Sequence, residues 1–571
     1  MNQTIDSSSP RPRLWPGFAL LALIWIGRFV VPVVQPDLLL FGILGAGVGL
    51  LLLLVWWLFF SRLRWSDRLL GLGLAAASLM IGRLLLHESL ATMSYGVMFY
   101  IVALPVVALA LVVWAAWFGG STSGRRRFAL LGLLMASTFT WALVRTNGTD
   151  GNINADYAWR WSATAEDRLL AGELEGSVSG AGAGVDTGAG WSGFRGPQRD
   201  SRVPGTRIAT DWDASPPQEI WRRPVGPGWS SFAVRGGLIY TQEQRGEEEV
   251  VGAYRAADGE AVWQHADDAR FWEAIGGAGP RGTPTLVGDS VVSLGATGIL
   301  NVLDAETGKL RWSQDTVADT GATIPGWGIA ASPLILGDAV VVAASGIPVA
   351  YSLTNGERLW TGPKGGGGES YSSPHRMPTD SGDQIAFLRD QGIVGLDPNT
   401  GEELWSHDWG GVPIVQPALT ADGDLLVAVS DRSGLRRLSL ENDASGWRLN
   451  EKWTSIRLKP YFNDFVVHRG RAYGFDGRIL ACVDLETGDR VWKGGRYGNG
   501  QLILLEDQDL LLVLSEDGDL ALVKATSEGY EEVAKAPVLD GKTWNHPVLV
   551  GDVLLVRNSE EMAAFRLAQD A

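Results

Sequence analysis

Two hydrophobic patterns divide the chain. Before residue 145 the apolar positions form five nearly unbroken runs, 17–34, 38–60, 68–86, 96–118 and 128–144. A helix needs about 20 residues, within a range of about 17–25, to cross a hydrocarbon core. After residue 215 the runs shorten, alternate with polar positions and end in turn residues, as β-strands do. The expectation is a cytoplasmic tail (1–16), a helical transmembrane domain of five spans (17–144), a linker (145–211) and an all-β domain (212–571). The Gly-rich stretch 176–190 reads as a tether, because no strand precedes it and no helix pattern follows. Thr164 and Asp167 predict a helix cap inside the linker.

Charge then orients the chain. Arg11 and Arg13 precede the first run, Arg62 and Arg64 follow the second, and Arg125, Arg126 and Arg127 follow the fourth; the loops after the first and third carry no Lys or Arg. Basic loops stay in the cytoplasm. The N-terminus is therefore expected inside the cytoplasmic (inner) membrane and the β domain outside it, in the periplasm or its extracytoplasmic equivalent. The whole chain carries a net charge of −16, while its first 144 residues hold ten arginines against four acids. So acidic an ectodomain repels phosphate backbones and excludes nucleic acid as a partner. Arg28 and Arg83 fall inside runs, level with Asp37, His87 and Glu88. They snorkel, pair with the acids, or hold a quinone headgroup. Cys482 is the only cysteine, which excludes intrachain disulfides and CxxC metal or haem motifs; within IleLeuAlaCysVal (479–483) it reads as a buried, inert thiol.

Inside the β domain one unit recurs. Its clearest copies are LeuAspAlaGluThrGlyLysLeuArgTrp (303–312), LeuAspProAsnThrGlyGluGluLeuTrp (396–405) and ValAspLeuGluThrGlyAspArgValTrp (483–492). The repeat tryptophans 221, 263, 312, 360, 405, 453 and 492 are spaced 42, 49, 48, 45, 48 and 39 residues apart. A period of about 40–50 residues with four short strands marks a propeller blade. Inner strands begin near Phe232, Thr283, Ser332, Ser373, Gln416, Phe465, Leu502 and Pro547, which gives eight blades. The last blade is one strand short, and the orphan strand GluIleTrpArgArgProVal (219–225) is expected to complete it and close the ring.

The Asp-x-x-Thr-Gly-x-x-x-Trp units resemble the pyrroloquinoline quinone (PQQ) propeller repeat over most of 212–567. That resemblance implies one of two functions. Quinoprotein dehydrogenases bind PQQ and calcium on the axis and oxidise alcohols or sugars. The assembly-factor type, such as the BamB lipoprotein, keeps the blades, binds no PQQ and works through protein contacts. Five spans ahead of the propeller also look like membrane-bound glucose dehydrogenase, which passes electrons to ubiquinone. Against that, blades of about 45 residues leave little room for the insertions that build a dehydrogenase pocket.

Ligands of propellers bind near the axis, where inner strands converge. Small polar residues sit ahead of each inner strand, among them Ser231, Thr283, Ser332, Ser373 and Gln416, and cap strand starts. Charged Glu243, Arg281, Lys459, Asp464 and His546 gather near them, with aromatic Trp229, Trp327, Tyr461 and Trp544. Under the dehydrogenase reading Asp464 is the general base, Asn463 or Glu243 a metal ligand, and the aromatic and basic residues hold PQQ. Under the other reading the same mouth binds a protein, an envelope polymer or a small ligand. The lean blades favour this membrane-tethered binding or scaffold module.

Overall fold

A computed structural model describes residues 14–35, 38–118, 123–151, 155–172, 176–178, 188, 190–365, 367, 369–428, 433–444 and 446–570. They divide into two compact units, one of residues 1–162 with 273–276 and one of 163–272 with 277–571.

In the first unit, four helices among the described residues are long and apolar enough to cross a membrane: Trp15–Val34, Leu39–Phe60, Trp65–Leu85 and Val97–Phe118. The expectation of five such spans is corrected to four. The run 128–144 does not stay α-helical: the helix Ser123–Phe139 ends in a 3₁₀ turn, Thr140–Leu143, and Val144 opens a strand that pairs with Ala155–Trp159. Thr138 and Thr140 hydroxyls donate back to the carbonyls of Leu134 (3.0 Å) and Ala136 (2.6 Å), local bonds that compete with helix propagation. The first two spans meet through small residues: a Cβ on Gly42 would lie 2.3 Å from the Gly27 carbonyl oxygen. Arg83 donates to the Gly96 carbonyl (3.3 Å), and Arg28 sits 5.3 Å from the Phe29 ring centre. Among the described residues neither is ion-paired with Glu88, and Asp37 lies outside them.

The second unit is an eight-bladed propeller. Blades 1 to 6 are four-stranded sheets over 233–268, 285–315, 334–361, 375–408, 418–455 and 466–496. Blade 7 (501–537) gains a fifth strand, Arg202–Val203, and blade 8 (548–566) is completed by Gln218–Pro224, against which a short fifth strand, Ser177–Val178 of the expected tether, also pairs. Gln218–Pro224 pairs antiparallel with Glu561–Arg566, from Glu561 opposite Pro224 to Arg566 opposite Gln218. The closure expected from the orphan strand is what forms, and it ties the start of the ring to its last sheet. The predicted cap is also present, Thr164 and Asp167 making a reciprocal capping box on the helix Ala165–Leu170.

The repeat motif proves to be an inter-blade joint. Trp221, Trp263, Trp312, Trp360, Trp453 and Trp492 each donate an indole N–H to a backbone carbonyl of the following blade, at 2.6–3.0 Å. Each of the first five also lies against the turn glycine there: a Cβ on Gly401 would sit 2.4 Å from Trp360. That glycine therefore answers two demands, a φ of +71° and a face for the indole. Trp405 is the exception, donating to Gln384 (2.7 Å) because blade 5 replaces the Asp-x-x-x-Gly turn with a long hairpin, Leu435–Asp443 and Gly446–Ser455. Cys482 is fully buried, and burial pushes its thiol up to about 12, as an inert structural thiol requires.

Candidate functional site: the propeller axis and its mouth

The polar residues ahead of the inner strands cap backbone groups, and the groups they cap belong to the neighbouring blade. The Ser231 N–H donates to Thr283 Oγ1 (2.9 Å), Thr283 N–H to Ser332 Oγ (2.9 Å), and Ser332 N–H to Ser373 Oγ (2.9 Å). The relay continues from Ser373 N–H to Gln416 Oε1 (3.1 Å) and from Gln416 N–H to Asp464 Oδ1 (2.7 Å). Between blades 8 and 1, Ser231 Oγ donates to the His546 carbonyl (2.6 Å) and Asn545 Nδ2 to the Ser230 carbonyl (2.8 Å). Asp464 thus occupies blade 6's place in a ring of inter-blade hydrogen bonds.

The axis inside that ring holds a segment the sequence reading assigned to the linker. The range 145–211 needs correction here, because Trp191–Val203 is built into the propeller. Trp191 exchanges backbone hydrogen bonds with Val234 of blade 1 (2.8 and 2.7 Å), and the Ser192 carbonyl accepts from Leu286 of blade 2 (2.7 Å). Arg199 donates to the carbonyls of Pro333 (2.8 Å) and Ser332 (3.1 Å) at the start of blade 3. Arg195 donates to the Phe465 carbonyl of blade 6 (2.9 Å) and to Ser201 Oγ (2.8 Å), and lies 3.5 Å from Asp464 Oδ2. Arg202–Val203 then runs parallel to the inner strand of blade 7. With Ser201 Oγ at His546 of blade 8 (2.8 Å), one plug touches six blades. Arg195, Arg199 and Ser201 all have left-handed backbones, φ +63°, +57° and +60°. Three such non-glycine residues in seven hold only where surrounding contacts over-determine them.

This plug explains the environment of the sequence-predicted residues. Asp464 is buried, and loss of solvation raises its pKa although Arg195 and the Gln416 N–H oppose the shift. His546 is buried with Ser201 Oγ at its Nε2 (2.8 Å) and the Pro547 carbonyl at its Nδ1 (2.8 Å), and burial lowers its pKa to about 3. The Pro547 carbonyl at Nδ1 assigns the proton of the neutral imidazole to that nitrogen. Glu243, fully buried in blade 1, accepts from the Gly226 N–H, the Tyr254 hydroxyl and Arg245 (3.1 Å). Arg281 donates to the carbonyls of Gly277 (3.0 Å) and Gly279, and Lys459 pairs with Asp476 (3.4 Å). Asn463 is buried, with its Oδ1 accepting from the Tyr461 N–H (3.1 Å). Among the described residues no group of three His, Cys, Asp or Glu is placed to hold a metal. PQQ and calcium would need these carboxylate and cationic groups convergent and open, and they are separately committed.

The predicted aromatic residues do converge. Trp229 lies 4.9 Å from Trp544, Trp544 4.9 Å from Phe462, Phe462 5.4 Å from Tyr461, Tyr461 6.2 Å from Trp327, and Trp327 5.0 Å from Tyr371. The row crosses the mouth from blades 1 and 8, through 6, to blades 3 and 4. Every ring but Tyr371 is half-buried, and the Lys542 ammonium sits 4.4 Å from Trp544 and 5.0 Å from Trp229. Phe462, Tyr371 and Lys542 were not foreseen, since they precede their strands at unequal offsets. Arg195 and Arg199 were hidden by their glycine-rich neighbourhood; Trp191 and Phe194, two large aromatics in that stretch, were the available signal.

Comparison with known proteins bears on the fold that carries this site. A protein from Bordetella pertussis, the outer membrane protein assembly factor BamB, is 26% identical over 312 residues, covering 52% of this chain and 71% of its own. The corresponding factor of Burkholderia pseudomallei is 25% identical over 335 residues, 48% of this chain and 84% of its own. Among solved structures, the quinohemoprotein alcohol dehydrogenase of Comamonas testosteroni shares the fold at 14% identity, with a TM-score of 0.50 over 68% of this chain and 82% of that one. The family model described as outer membrane protein assembly factor BamB matches residues 201–387 and 246–494. Because those matches span more than half of the chain, from the plug's last strand to blade 6, the chain belongs to the BamB family of PQQ-repeat propellers.

Proposed function

We propose that this chain is a membrane-anchored binding and scaffold module whose aromatic mouth docks a protein of the cell envelope. One contrast carries the reading: the polar groups a redox site would need are used to hold the ring together, while a row of half-exposed rings is left at the mouth. Aromatic residues are the side chains most enriched in interface centres. Relatives named as assembly factors fit a role exercised through protein contacts. The test is a photo-crosslinking residue placed at Phe462 or Trp544 in the full chain. Discrete protein adducts are expected there, and none at Glu306, which lies in a turn at the other end of the sheets. Equal labelling at Glu306 would remove the mouth as the docking face.

For placement, the alternation of basic loops supports an extracytoplasmic propeller in the cytoplasmic membrane. That orientation needs an odd number of crossings, so the helix Ser123–Phe139 decides it. A reporter active only outside the cytoplasm, fused after Ala571, is expected to be active; an inactive reporter would reverse the orientation.

The dehydrogenase alternative makes its own demand. Full-length protein given PQQ and calcium is expected to acquire no quinone absorption. Uptake with dye reduction from an alcohol or sugar, abolished by Asp464→Asn, would establish that alternative; electron transfer to an added ubiquinone analogue, lost on Arg28 or Arg83 substitution, would add the quinone near those two residues.

A further inference from the structure

A cavity of about 1040 Å³ runs beside the plug, along the inner strands of blades 3 to 6, from Pro417 and Phe465 to the turns at Thr420–Asp422 and His468–Gly470. It is distinct from the aromatic mouth, and its volume is of the size that takes a small molecule. Seven arginines line it in a chain of net charge −16. Six of them are neutralised: Arg195 by Asp464, Arg202 by Glu506, Arg376 by Asp383, Arg437 by Asp422 and Asp424, Arg469 by Asp509, and Arg471 by Asp484.

Arg199 differs. It is buried, its acceptors are the two blade 3 carbonyls, and among the described residues no carboxylate lies within 4.0 Å. Burial lowers its pKa to about 10, which leaves it charged. Arg557, the comparably buried arginine between blades 8 and 1, shows what full satisfaction looks like: five hydrogen bonds, from all three nitrogens. His375 lines the same cavity at 6% exposure, with Nδ1 buried and without a hydrogen-bond partner. Arg199 and Arg195 both act electrostatically on that imidazole. Arg199 makes only two hydrogen bonds, with Asp464 its nearest counter-charge in electrostatic effect, and His375 Nδ1 makes none, so an acceptor bearing negative charge in this cavity would supply partners to both.

We propose that the plug and blades 3 to 6 form a binding site for a small oxyanion-bearing ligand, a carboxylate or a phosphate ester, whose charged end is held by Arg199 and His375. The plug supplies the decisive cation from outside the repeats and outside the matched family region, which begins at residue 201. Asp200, also lining the cavity, opposes an anion there.

The experiment is titration of the detergent-solubilised full chain with citrate and with inorganic phosphate, against chloride at matched ionic strength. Saturable binding of at least one probe and none of chloride is expected, and the preferred probe tells carboxylate from phosphate. Arg199→Gln should weaken binding about tenfold or more, the worth of a charge-assisted contact. His375→Phe should weaken it, and Asp200→Asn should tighten it, so the proposal stays testable if the arginine variant does not fold. No saturable binding of either probe, or binding that His375→Phe and Asp200→Asn leave unchanged, overturns it.

Discussion

The two ends of the loops that precede the inner strands differ sharply. At the axis, Asp464, His546, Asn545 and Arg195 are buried and bonded to one another or to neighbouring blades. A few residues away, Trp229, Trp327, Tyr461 and Trp544 remain half-exposed. The composition would suggest the reverse, charged groups outward and aromatic rings inward. The plug accounts for the inversion: its two arginines and Ser201 bring partners to the axial polar groups, so these can be buried, and the rings are left over for the mouth. Burial of charge here reports on ring closure rather than on catalysis.

The largest effect is expected where that difference is cut at the axis. Arg195→Ala leaves Asp464 buried without its ion partner and should cost about 3–5 kcal/mol, read as a fall in thermal midpoint. A change under about 0.5 kcal/mol would mean that the axial layer is not structural. Next comes a contrast of two tryptophans. Trp360→Ala removes a buried inter-blade joint and should cost about 3 kcal/mol, whereas Trp544→Ala at the mouth should cost less than about 1 kcal/mol and abolish partner crosslinking. Equal losses of stability would erase the distinction between mouth and joint. Gly401→Ala should then cost about 2 kcal/mol, combining a left-handed backbone with a clash against Trp360.

The smallest effect is a pH dependence. Burial raises the Glu249 carboxyl from 4.5 to about 7, with Arg281 opposing the shift and Asp267 adding to it. The fold therefore binds this proton more tightly than the unfolded chain does. Its contribution is full below about pH 4.5 and is lost as pH rises towards about 7. Glu249→Gln should flatten that slope and stabilise the propeller at pH 8 by about 1–2 kcal/mol. A midpoint that falls with pH over this window by the same amount in both proteins would contradict the assignment.

Much of the ring is written locally. The spacing of Trp312, Trp360 and Trp453, the turn glycines and the orphan strand at 219–225 are contiguous signals, each legible without knowing what lies opposite. The candidate site was legible in half: the mouth aromatics sit next to recognisable strand starts. Asp464 and Glu243 looked reactive because a sequence lists charges without their partners, and Arg195 is 269 positions from Asp464 in the chain. The fifth apolar run was misjudged for the opposite reason, since hydropathy does not record where threonine hydroxyls and a following hairpin end a helix.

By itself the sequence determined the apolar helices, the eight-fold repeat and the strand that closes it, because periodicity and turn chemistry act over a few residues. Only the tertiary structure decided that Trp191–Val203 enters the axis, which charges it neutralises and which rings stay in water. Those outcomes depend on distance and desolvation between groups that the chain keeps far apart.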